Sequence, residues 1–269
     1  MKHARSFAFA LSAAVLIAAA VAWAEPKAPF EPRVGQAGKD VVWVPTAQAL
    51  VDRMLDMAQV GPGSIHFDLG SGDGRTVITA AKRGATAFGV EFNPDMVKLS
   101  RFNADQAGVS DRATFIEGDL FAADISKATS ISLFLLPSIN LKLRPKILDL
   151  KPGTRIVSNS FDMGDWRPDR TDEAVSNCTS YCRAHFWIVP AKVDGLWRLP
   201  NGDMRLQQTY QWFDGELRIG PATMQISDGK VVGDLISFVA GSTRYNGRVT
   251  ANGIEGLALS STGWRATRD

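Results

Sequence analysis

The sequence is poor in histidine and has almost no net charge, and both features limit what the protein can do. Its three histidines, His3, His66 and His185, lie far apart, so no histidine metal cluster is predicted. His66 lies inside a predicted strand, which favours a hydrogen-bonded core residue. The 30 basic and 28 acidic side chains leave a formal charge of +2, which favours neither nucleic acid nor an anionic membrane as a partner. Repeats and low-complexity tracts are also absent from the sequence, so the composition is that of an ordinary globular protein.

Cysteine is scarce as well: the sequence contains two, Cys178 and Cys182. An even pair so close in sequence favours a disulfide in an oxidising compartment over a metal site. The alternative is a reactive thiol pair, for which the neighbouring sequence offers no histidine. A disulfide here would close a small ring, so we expect its stabilisation to be modest.

The first 24 residues have the composition of an export signal. Lys2 and Arg5 form a basic start, and residues 7–24 carry no charge and end in the small-residue pattern Ala22-Trp23-Ala24. We predict cleavage after Ala24 and an exported, periplasmic protein. An uncleaved membrane anchor is the alternative, because the uncharged run approaches the length that spans a bilayer.

The chain is organised around a glycine-rich turn. Asp68 ends an apolar run, and Gly70, Gly72 and Gly74 precede a helical pattern. Strand, tight turn and helix form the first unit of a nucleotide-binding α/β sheet, in which glycine lets backbone amides approach a ligand. The spacing D-x-G-x-G-x-G differs from the G-x-G-x-x-G of dinucleotide folds. An ordinary Gly-Asp turn is the alternative when the motif is taken alone.

Two further acidic residues end the next two predicted strands. Residues 85–90 form a strand that ends at Glu91, about 20 residues after the glycine turn, where a carboxylate can accept from both ribose hydroxyls. Residues 113–117 form another strand, and Asp119 follows it. On spacing alone, a simple turn residue explains Asp119 nearly as well as a ligand-binding residue does.

The rest of residues 41–191 continues the α/β pattern. An apolar stripe after Thr46 predicts a helix that Thr46 caps, and a second helix is predicted from Pro94 to Gly108. Three more strands are predicted, at residues 130–135, 155–159 and 183–189.

Taken together, these motifs resemble a known family. The compressed glycines after Asp68 resemble motif I of the class I methyltransferases, which bind S-adenosylmethionine. Over residues 41–166 the chain is similar to the mitochondrial protein-lysine methyltransferases that modify ATP synthase subunit c and the adenine nucleotide translocase. The segments that carry this likeness are Val44-Pro45-Thr46, residues 68–75, Glu91-Phe92-Asn93-Pro94, Phe134-Leu135-Leu136-Pro137-Ser138, and the run from Pro152-Gly153 to Trp166. The resemblance implies an α/β fold with a Rossmann-like methyltransferase sheet and helices on both faces.

The resemblance also implies a cofactor, an acceptor and a site. Asp68 and Asp73 suit the ammonium group of S-adenosylmethionine, and Asp119 would accept from its adenine amino group. A protein lysine is the expected methyl acceptor, beside Leu136, Pro137 and Ser138. The predicted cofactor-binding residues are Pro45, Thr46, Asp68, Gly70, Ser71, Gly72, Asp73, Gly74, Arg75, Glu91, Phe92, Asn93, Asp119 and Leu120. No general base is identified, and no metal is predicted.

Two segments lie outside this likeness. Residues 25–40 are polar and hold three prolines, which predicts an extended linker. In residues 192–269 helical periodicity disappears, and short alternating runs predict a small antiparallel β domain, either a meander or an open barrel. Hairpin turns are predicted at Asn201-Gly202, Asp214-Gly215, Asp228-Gly229 and Asn252-Gly253. The aromatic residues that fill its core or line a ligand groove are Trp197, Trp212, Phe238, Tyr245 and Trp264.

The sequence therefore predicts a methyltransferase that uses S-adenosylmethionine. Nucleic acid is not predicted as a partner, and no strong membrane association is predicted after signal cleavage. The alternative is an exported binding protein that keeps the methyltransferase fold as a scaffold and recognises its partner with the β domain. Predicted export motivates this alternative, because the cofactor is made in the cytoplasm. A nicotinamide oxidoreductase is disfavoured by the glycine spacing.

Overall fold

The computed structural model describes residues 27–173, 178–257 and 263–269. The predicted export signal, residues 1–24, lies outside these described residues. Among the helices in the described ranges, none combines the length and apolar character needed to cross a membrane.

A seven-stranded sheet forms the first unit of the structure. Its strands are β1 (Ile65–Leu69), β2 (Thr86–Glu91), β3 (Ala113–Glu117), β4 (Ser130–Leu133), β5 (Arg155–Asn159), β6 (Arg170–Asp172) and β7 (Ala184–Ile188). Their order in space is β3-β2-β1-β4-β5-β7-β6, with β1 to β5 parallel and β7 antiparallel to both β5 and β6. The chain moves outward from β1 in one direction and then returns to β4 on the other side. Such a switch opens a crevice at the carboxyl ends of the strands, where α/β sheets bind ligands.

Helices cover both faces of this sheet, as predicted. They are α1 (Gln48–Met57), α2 (Arg75–Lys82), α3 (Pro94–Gln106) and α4 (Pro137–Leu148). Leu50, Val51 and Leu55 of α1 pack into one core together with apolar residues of α2 and α3. On the opposite face, α4 packs Leu143 and Ile147 into a second core.

Helix α4 was not predicted from the sequence. Its charged and apolar residues do not form a clear stripe, and Pro145 lies inside it. Proline usually interrupts a helix because it lacks the amide donor and its ring crowds the preceding turn. Burial of Ile139, Leu143 and Ile147 on one side of the helix overrides that local preference.

The C-terminal unit is an antiparallel β domain, as predicted, but its barrel is closed and not open. Its strands are β8 (Gly195–Leu199), β9 (Gly202–Thr209), β10 (Trp212–Ile219), β11 (Ala222–Val232), β12 (Leu235–Ala240), β13 (Thr243–Thr250), β14 (Gly253–Gly256) and β15 (Arg265–Arg268). The last strand, β15, pairs with the first, β8, and removes both sheet edges.

Phe238 stacks on Tyr245 and contacts Trp264, so these aromatic residues belong to the barrel core. Trp212 lies outside this core and is 48% exposed.

Two of the four predicted hairpin turns are wrong. Asn201 and Asn252 lie in turns, whereas Asp214-Gly215 and Asp228-Gly229 lie inside β10 and β11 where the strand register shifts. A Cβ on Gly215 would lie 1.9 Å from a backbone carbonyl oxygen, and Asp228 has φ +51°. A β-bulge therefore needs the same unusual backbone as a tight turn, and the dipeptide alone does not distinguish them.

The barrel packs directly against the sheet unit. Tyr210 stacks on Trp166 with 6.0 Å between ring centroids, and its hydroxyl donates to Asp165 at 2.9 Å. The side-chain amide of Gln211 donates to the backbone carbonyl of Arg167 at 2.8 Å. The two units are thus joined by ring stacking and by hydrogen bonds in addition to the chain connection.

Candidate functional site

A cavity of about 500 Å³ opens at the carboxyl ends of the parallel strands. Asp68 lies on β1, Glu91 ends β2, Asp119 follows β3, Leu136 follows β4 and Phe161 follows β5. The predicted site residues that line this cavity are Pro45, Thr46, Asp68, Gly70, Ser71, Gly72, Asp73, Arg75, Glu91, Phe92, Asn93, Asp119, Leu120 and Leu136. Residues that are far apart in the sequence therefore converge at the crevice.

Three predicted site residues do not line the cavity. Pro137 and Ser138 form the exposed first turn of α4, beside Leu136. Gly74 precedes α2 with φ +82°, and a Cβ added there would lie 2.8 Å from the Phe115 ring. Its role is to let the turn pack closely against the neighbouring strand and helix.

We expect Gly74→Ala to lower the free energy of unfolding by about 2–4 kcal/mol, because it combines a left-handed backbone with overpacking. The added methyl group would also lie 3.0 Å from the Cβ atom of Ser100. Gly118→Ala is the matched control, since no atom lies within 4 Å of a Cβ at that position. Urea denaturation of both ligand-free variants checks the expectation, and equal stabilities would contradict it.

The segment predicted as an extended linker contributes a hairpin to the cavity. The amide of Gly35 donates to the carbonyl of Trp43 at 2.8 Å, and Ala37 and Val42 form an antiparallel bridge. Lys39, in this hairpin, lies 2.8 Å from a carboxylate oxygen of Asp119. The cavity-lining residues that sequence reasoning missed here are Gln36, Ala37, Gly38, Lys39, Asp40, Val41, Val42, Trp43 and Val44. The apolar run around Trp43 was the available signal.

The Lys39 contact changes the expected environment of Asp119. The hydrogen bond from Lys39 and a second one from the backbone amide of Phe121 hold the pKa of the Asp119 carboxyl below its usual value. The ammonium of Lys39 also lies 4.7 Å from the centroid of the Phe92 ring. Asp119 is thus a charged hydrogen-bond acceptor at the β3 end of the cavity, and Lys39 of the hairpin already donates to it.

Thr46 does not cap α1, so that part of the prediction is wrong. Ala47 is the N-cap residue and makes no side-chain capping bond. The hydroxyl of Thr46 instead accepts from the side-chain amide of Asn159 at 3.2 Å. A hydroxyl before a helix is therefore used here to link the helix start to β5.

Asp68 is the buried carboxylate of the site. Ser132 on β4 donates to it at 2.6 Å, and burial raises its pKa to about 7 although the hydrogen bonds from Ser132 and Thr76 oppose that rise. A group at the tip of β1 is thus poised between its neutral and charged forms near neutral pH.

His66 is linked to Asp68 through the hydroxyl of Ser132. Burial lowers the pKa of His66 to about 3, so its ring is neutral. Its Nε2 lies 3.0 Å from the hydroxyl of Ser132, and its Nδ1 lies 2.9 Å from that of Ser130. Because the hydroxyl of Ser132 donates its hydrogen bond to Asp68, its oxygen must accept the hydrogen bond from Nε2–H of His66. The prediction of a hydrogen-bonded core histidine is confirmed.

Asp73 lines the cavity and is paired with Arg75. Arg75 holds its carboxylate through Nε at 3.0 Å and Nη2 at 2.5 Å, and the same guanidinium donates to the carbonyl of Thr46. Asp68 has no ion-pair partner among the described residues. Of the two carboxylates predicted to meet the ligand ammonium, Asp68 is thus the one that has no cationic side chain as a partner among the described residues.

Glu91, the predicted ribose-binding residue, is hydrogen-bonded to the glycine turn. One of its oxygens accepts from the amide of Gly72 at 3.0 Å, and the other accepts from the amide of Asn93 at 2.9 Å. Each carboxylate oxygen can accept more than one hydrogen bond, so the pair of ribose hydroxyls can still be bound. The fixed carboxylate is a preorganised acceptor at the end of β2.

The residues present fit S-adenosylmethionine. Asp68 is a buried carboxylate that lacks a cation, and the Ser71 hydroxyl is buried without a hydrogen-bond partner within the described structure. A ligand with an ammonium group, a ribose diol and an adenine would satisfy Asp68, Glu91 and Asp119 in that order along the sheet. The fold and this site define a class I methyltransferase that uses S-adenosylmethionine as its cofactor.

Comparison with known proteins narrows the class to a family. A profile described as the ANTKMT methyltransferase domain matches residues 68–170. A protein-lysine N-methyltransferase from Saccharolobus islandicus is 44% identical over 131 residues, which are 48% of this chain and 81% of that protein. The adenine nucleotide translocase lysine N-methyltransferase of Mus musculus is 35% identical over 130 residues, 48% of this chain and 56% of that protein. The chain belongs to the family of S-adenosylmethionine-dependent methyltransferases that includes these relatives.

A solved structure supports the cofactor assignment. The crystal structure of an RNA methyltransferase from Salinibacter ruber, in complex with S-adenosyl-L-homocysteine, is 49% identical and matches with a TM-score of 0.53. The match covers 56% of this chain and 96% of that chain. These comparisons support an enzyme, and they give no support to the alternative of a binding protein on a methyltransferase scaffold.

Proposed function

We propose that the protein transfers a methyl group from S-adenosylmethionine to the ε-amino group of a lysine in another protein. The names of the Saccharolobus and mouse relatives support a protein lysine as the acceptor. Residues 41–191 would form the transferase unit and residues 192–269 a separate β unit. The position of the cavity supports the boundary between the two units, because every residue that lines it comes before β7. Residues 36–40 line it as well, so the hairpin before residue 41 contributes to the transferase unit.

One observation carries the choice of acceptor. The part of the cavity at the ends of β4 and β5, called the β4–β5 side below, is lined by apolar and aromatic residues. They are Leu133, Phe134, Leu135, Leu136, Ile139, Phe161 and Tyr181. No carboxylate, histidine or lysine is among these described residues. An amine in such surroundings favours its neutral form, which is the form that can attack a methyl group.

The residues of the chain would divide the work between cofactor and acceptor. The bound cofactor supplies an activated methyl group on a sulfonium. Asp68 would bind its ammonium, Glu91 its ribose and Asp119 its adenine, all in the half of the crevice that adjoins the β4–β5 side. The apolar wall excludes water and aligns the lysine nitrogen for an in-line displacement. The lone pair of the neutral lysine nitrogen would form the new N–CH3 bond while the S–CH3 bond breaks. The electron pair of that broken bond would stay on sulfur, so the leaving group is the neutral thioether S-adenosylhomocysteine, and the nitrogen would keep its two protons and become a methylammonium.

The proposal predicts that tritium from methyl-labelled S-adenosylmethionine enters lysine side chains of an envelope protein fraction. We expect the label to disappear when lysines are acetylated beforehand, and to be absent with the Asp68→Asn variant. Peptide mass spectrometry identifies the modified residue. A parallel reaction with purified RNA tests the activity named for the Salinibacter relative. Label in RNA, or on a side chain other than lysine, would contradict the proposal.

We also propose that the protein acts outside the cytoplasm. Residues 1–24 have the pattern of an export signal, and Cys178 and Cys182 form a disulfide, which suits an oxidising compartment. The intact mass of protein recovered from the cell envelope should correspond to a chain that begins at Glu25. Replacing Ala22 and Ala24 by leucine should block cleavage and preserve the full-length mass. A full-length mass of the unmodified chain in the membrane fraction would favour an anchor instead.

A further inference from the structure

Three aromatic rings form a continuous wall on the β4–β5 side of the cavity. Phe134 follows β4, Phe161 follows β5, and Tyr181 lies in the loop before β7. The ring centroids are 6.1 Å apart for Phe134 and Phe161, 5.3 Å for Phe134 and Tyr181, and 5.9 Å for Phe161 and Tyr181. Tyr181 is 46% exposed, so the wall reaches the mouth of the cavity.

The wall lies at the opposite end of the cavity from the carboxylates assigned to the nucleoside. The strand order β3-β2-β1-β4-β5-β7 places Asp119, Glu91 and Asp68 in sequence along one half of the crevice. The aromatic residues come from the ends of β4 and β5 and from the loop beside β7. A methyl donor bound across Asp119, Glu91 and Asp68 would therefore have this wall next to its methionine end.

The third ring is held by a disulfide. Cys178 and Cys182 are bonded, and Tyr181 lies inside the small ring that they close. Tyr181 also has φ +54°, a left-handed conformation that is costly for a tyrosine and persists only where the surroundings impose it. By contrast, Phe134 directly follows β4, and one residue separates Phe161 from the end of β5.

We propose that Phe134, Phe161 and Tyr181 bind the amine-bearing end of the acceptor side chain and its methylated ammonium product, and that the Cys178–Cys182 disulfide positions Tyr181 for this contact. The inference rests on the proposed lysine methylation. The neutral amine of the acceptor would pack against this wall by apolar contact, and the charged product would be held by the ring faces. Faces of aromatic rings attract ammonium cations, and they suit quaternary ammonium groups in particular. With no carboxylate on this side, affinity should rise with each methyl group added, because each addition makes the cation easier to strip of water.

A binding experiment on the full mature chain tests the aromatic site without requiring turnover. Nε-trimethyl-lysine is titrated in the presence of saturating S-adenosylhomocysteine and followed by NMR of its N-methyl signal. We expect an upfield shift from the ring currents, and none with the neutral analogue in which carbon replaces the quaternary nitrogen. Tyr181→Ala should weaken binding by about 3- to 30-fold, whereas Tyr181→Phe should retain it.

The matched control is Trp212→Ala, which removes an exposed aromatic ring on the barrel and should leave the titration unchanged. Affinity for S-adenosylhomocysteine should stay within twofold of wild type in every variant, which shows that each has folded. The absence of a shift with the wild-type chain, or unchanged binding by Tyr181→Ala, would overturn the aromatic site.

The role of the disulfide is tested by the double variant Cys178→Ser, Cys182→Ser and by reduction of the wild-type chain. Both should weaken trimethyl-lysine binding to the extent seen for Tyr181→Ala, and reductant should have no further effect on the double variant. Full binding by the double variant would show that the disulfide does not position Tyr181. If trimethyl-lysine binds as expected and no lysine is methylated, the proposed function fails alone. If lysine is methylated with no dependence on Tyr181, only this inference fails.

Discussion

Asp68→Asn is expected to weaken S-adenosylhomocysteine binding by about 30- to 1,000-fold at pH 8, the range for removing one partner of a buried charge pair. Asp68 is buried, accepts from Ser132 and has no ion-pair partner among the described residues. The ligand ammonium would supply the missing countercharge. Asparagine keeps an acceptor for Ser132 and removes the charge, so the variant isolates the electrostatic contribution.

The same group makes binding depend on pH. Burial raises the pKa of Asp68 to about 7 in the ligand-free protein, and an ammonium ligand favours the ionised form. Binding below pH 7 must therefore release a proton from this carboxyl. Affinity should rise as the pH is raised from 5.5 to 8, and it should be nearly independent of pH in the Asp68→Asn variant.

Stability should change in the opposite direction to affinity. The unfolded-state pKa is near 3.8 and the folded-state pKa near 7, so the folded chain holds a proton that the unfolded chain has lost between these values. Stability due to this group therefore falls as the pH rises through that window, and the loss is complete by pH 8. Ligand-free Asp68→Asn should consequently melt at a higher temperature than wild type at pH 8.

Calorimetric titrations at several pH values and thermal melts at pH 5.5 and 8 check both expectations. Asp124→Asn is the control, because Asp124 is an exposed carboxylate outside the cavity. Affinity that is independent of pH in wild type, or tight binding by Asp68→Asn, would remove Asp68 from the ammonium site.

Glu91→Ala is expected to weaken S-adenosylhomocysteine binding by about 100- to 1,000-fold, because each hydrogen bond to a charged group contributes about 1.5–3 kcal/mol before relaxation. The variant loses the acceptor for the ribose. It also leaves the amides of Gly72 and Asn93 without their carboxylate partner, which loosens the glycine turn.

Two comparisons separate the ribose contact from the loosened turn. Glu117→Ala removes the exposed carboxylate that is the register partner of Glu91 on β3, outside the cavity, and should have little effect. Adenosine should bind more tightly than 2′,3′-dideoxyadenosine to wild type, and this preference should vanish in Glu91→Ala. A preference that survives in the variant would place the ribose hydroxyls elsewhere.

Local sequence patterns made much of the predicted cofactor-binding part of the cavity predictable. Glycines spaced after Asp68 require a turn in which backbone amides are uncovered, and Glu91 and Asp119 follow apolar runs that form parallel strands. The parallel arrangement brings the ends of those strands to one edge, so their acidic residues converge. The fold of the sheet and the antiparallel character of the β domain followed from the same periodicities.

Contacts between distant segments decided the rest. The pairing of β15 with β8 closes the barrel, and Arg75 pairs with Asp73. The hairpin around Lys39 reaches Asp119 across 80 positions of sequence, and neither residue carries a local signal for the other. Phe134, Phe161 and Tyr181 likewise form one wall only because β4, β5 and β7 are neighbours in the sheet. Local backbone preference and periodicity specify turns, strands and helices, whereas a side chain's partner depends on how those elements pack in three dimensions.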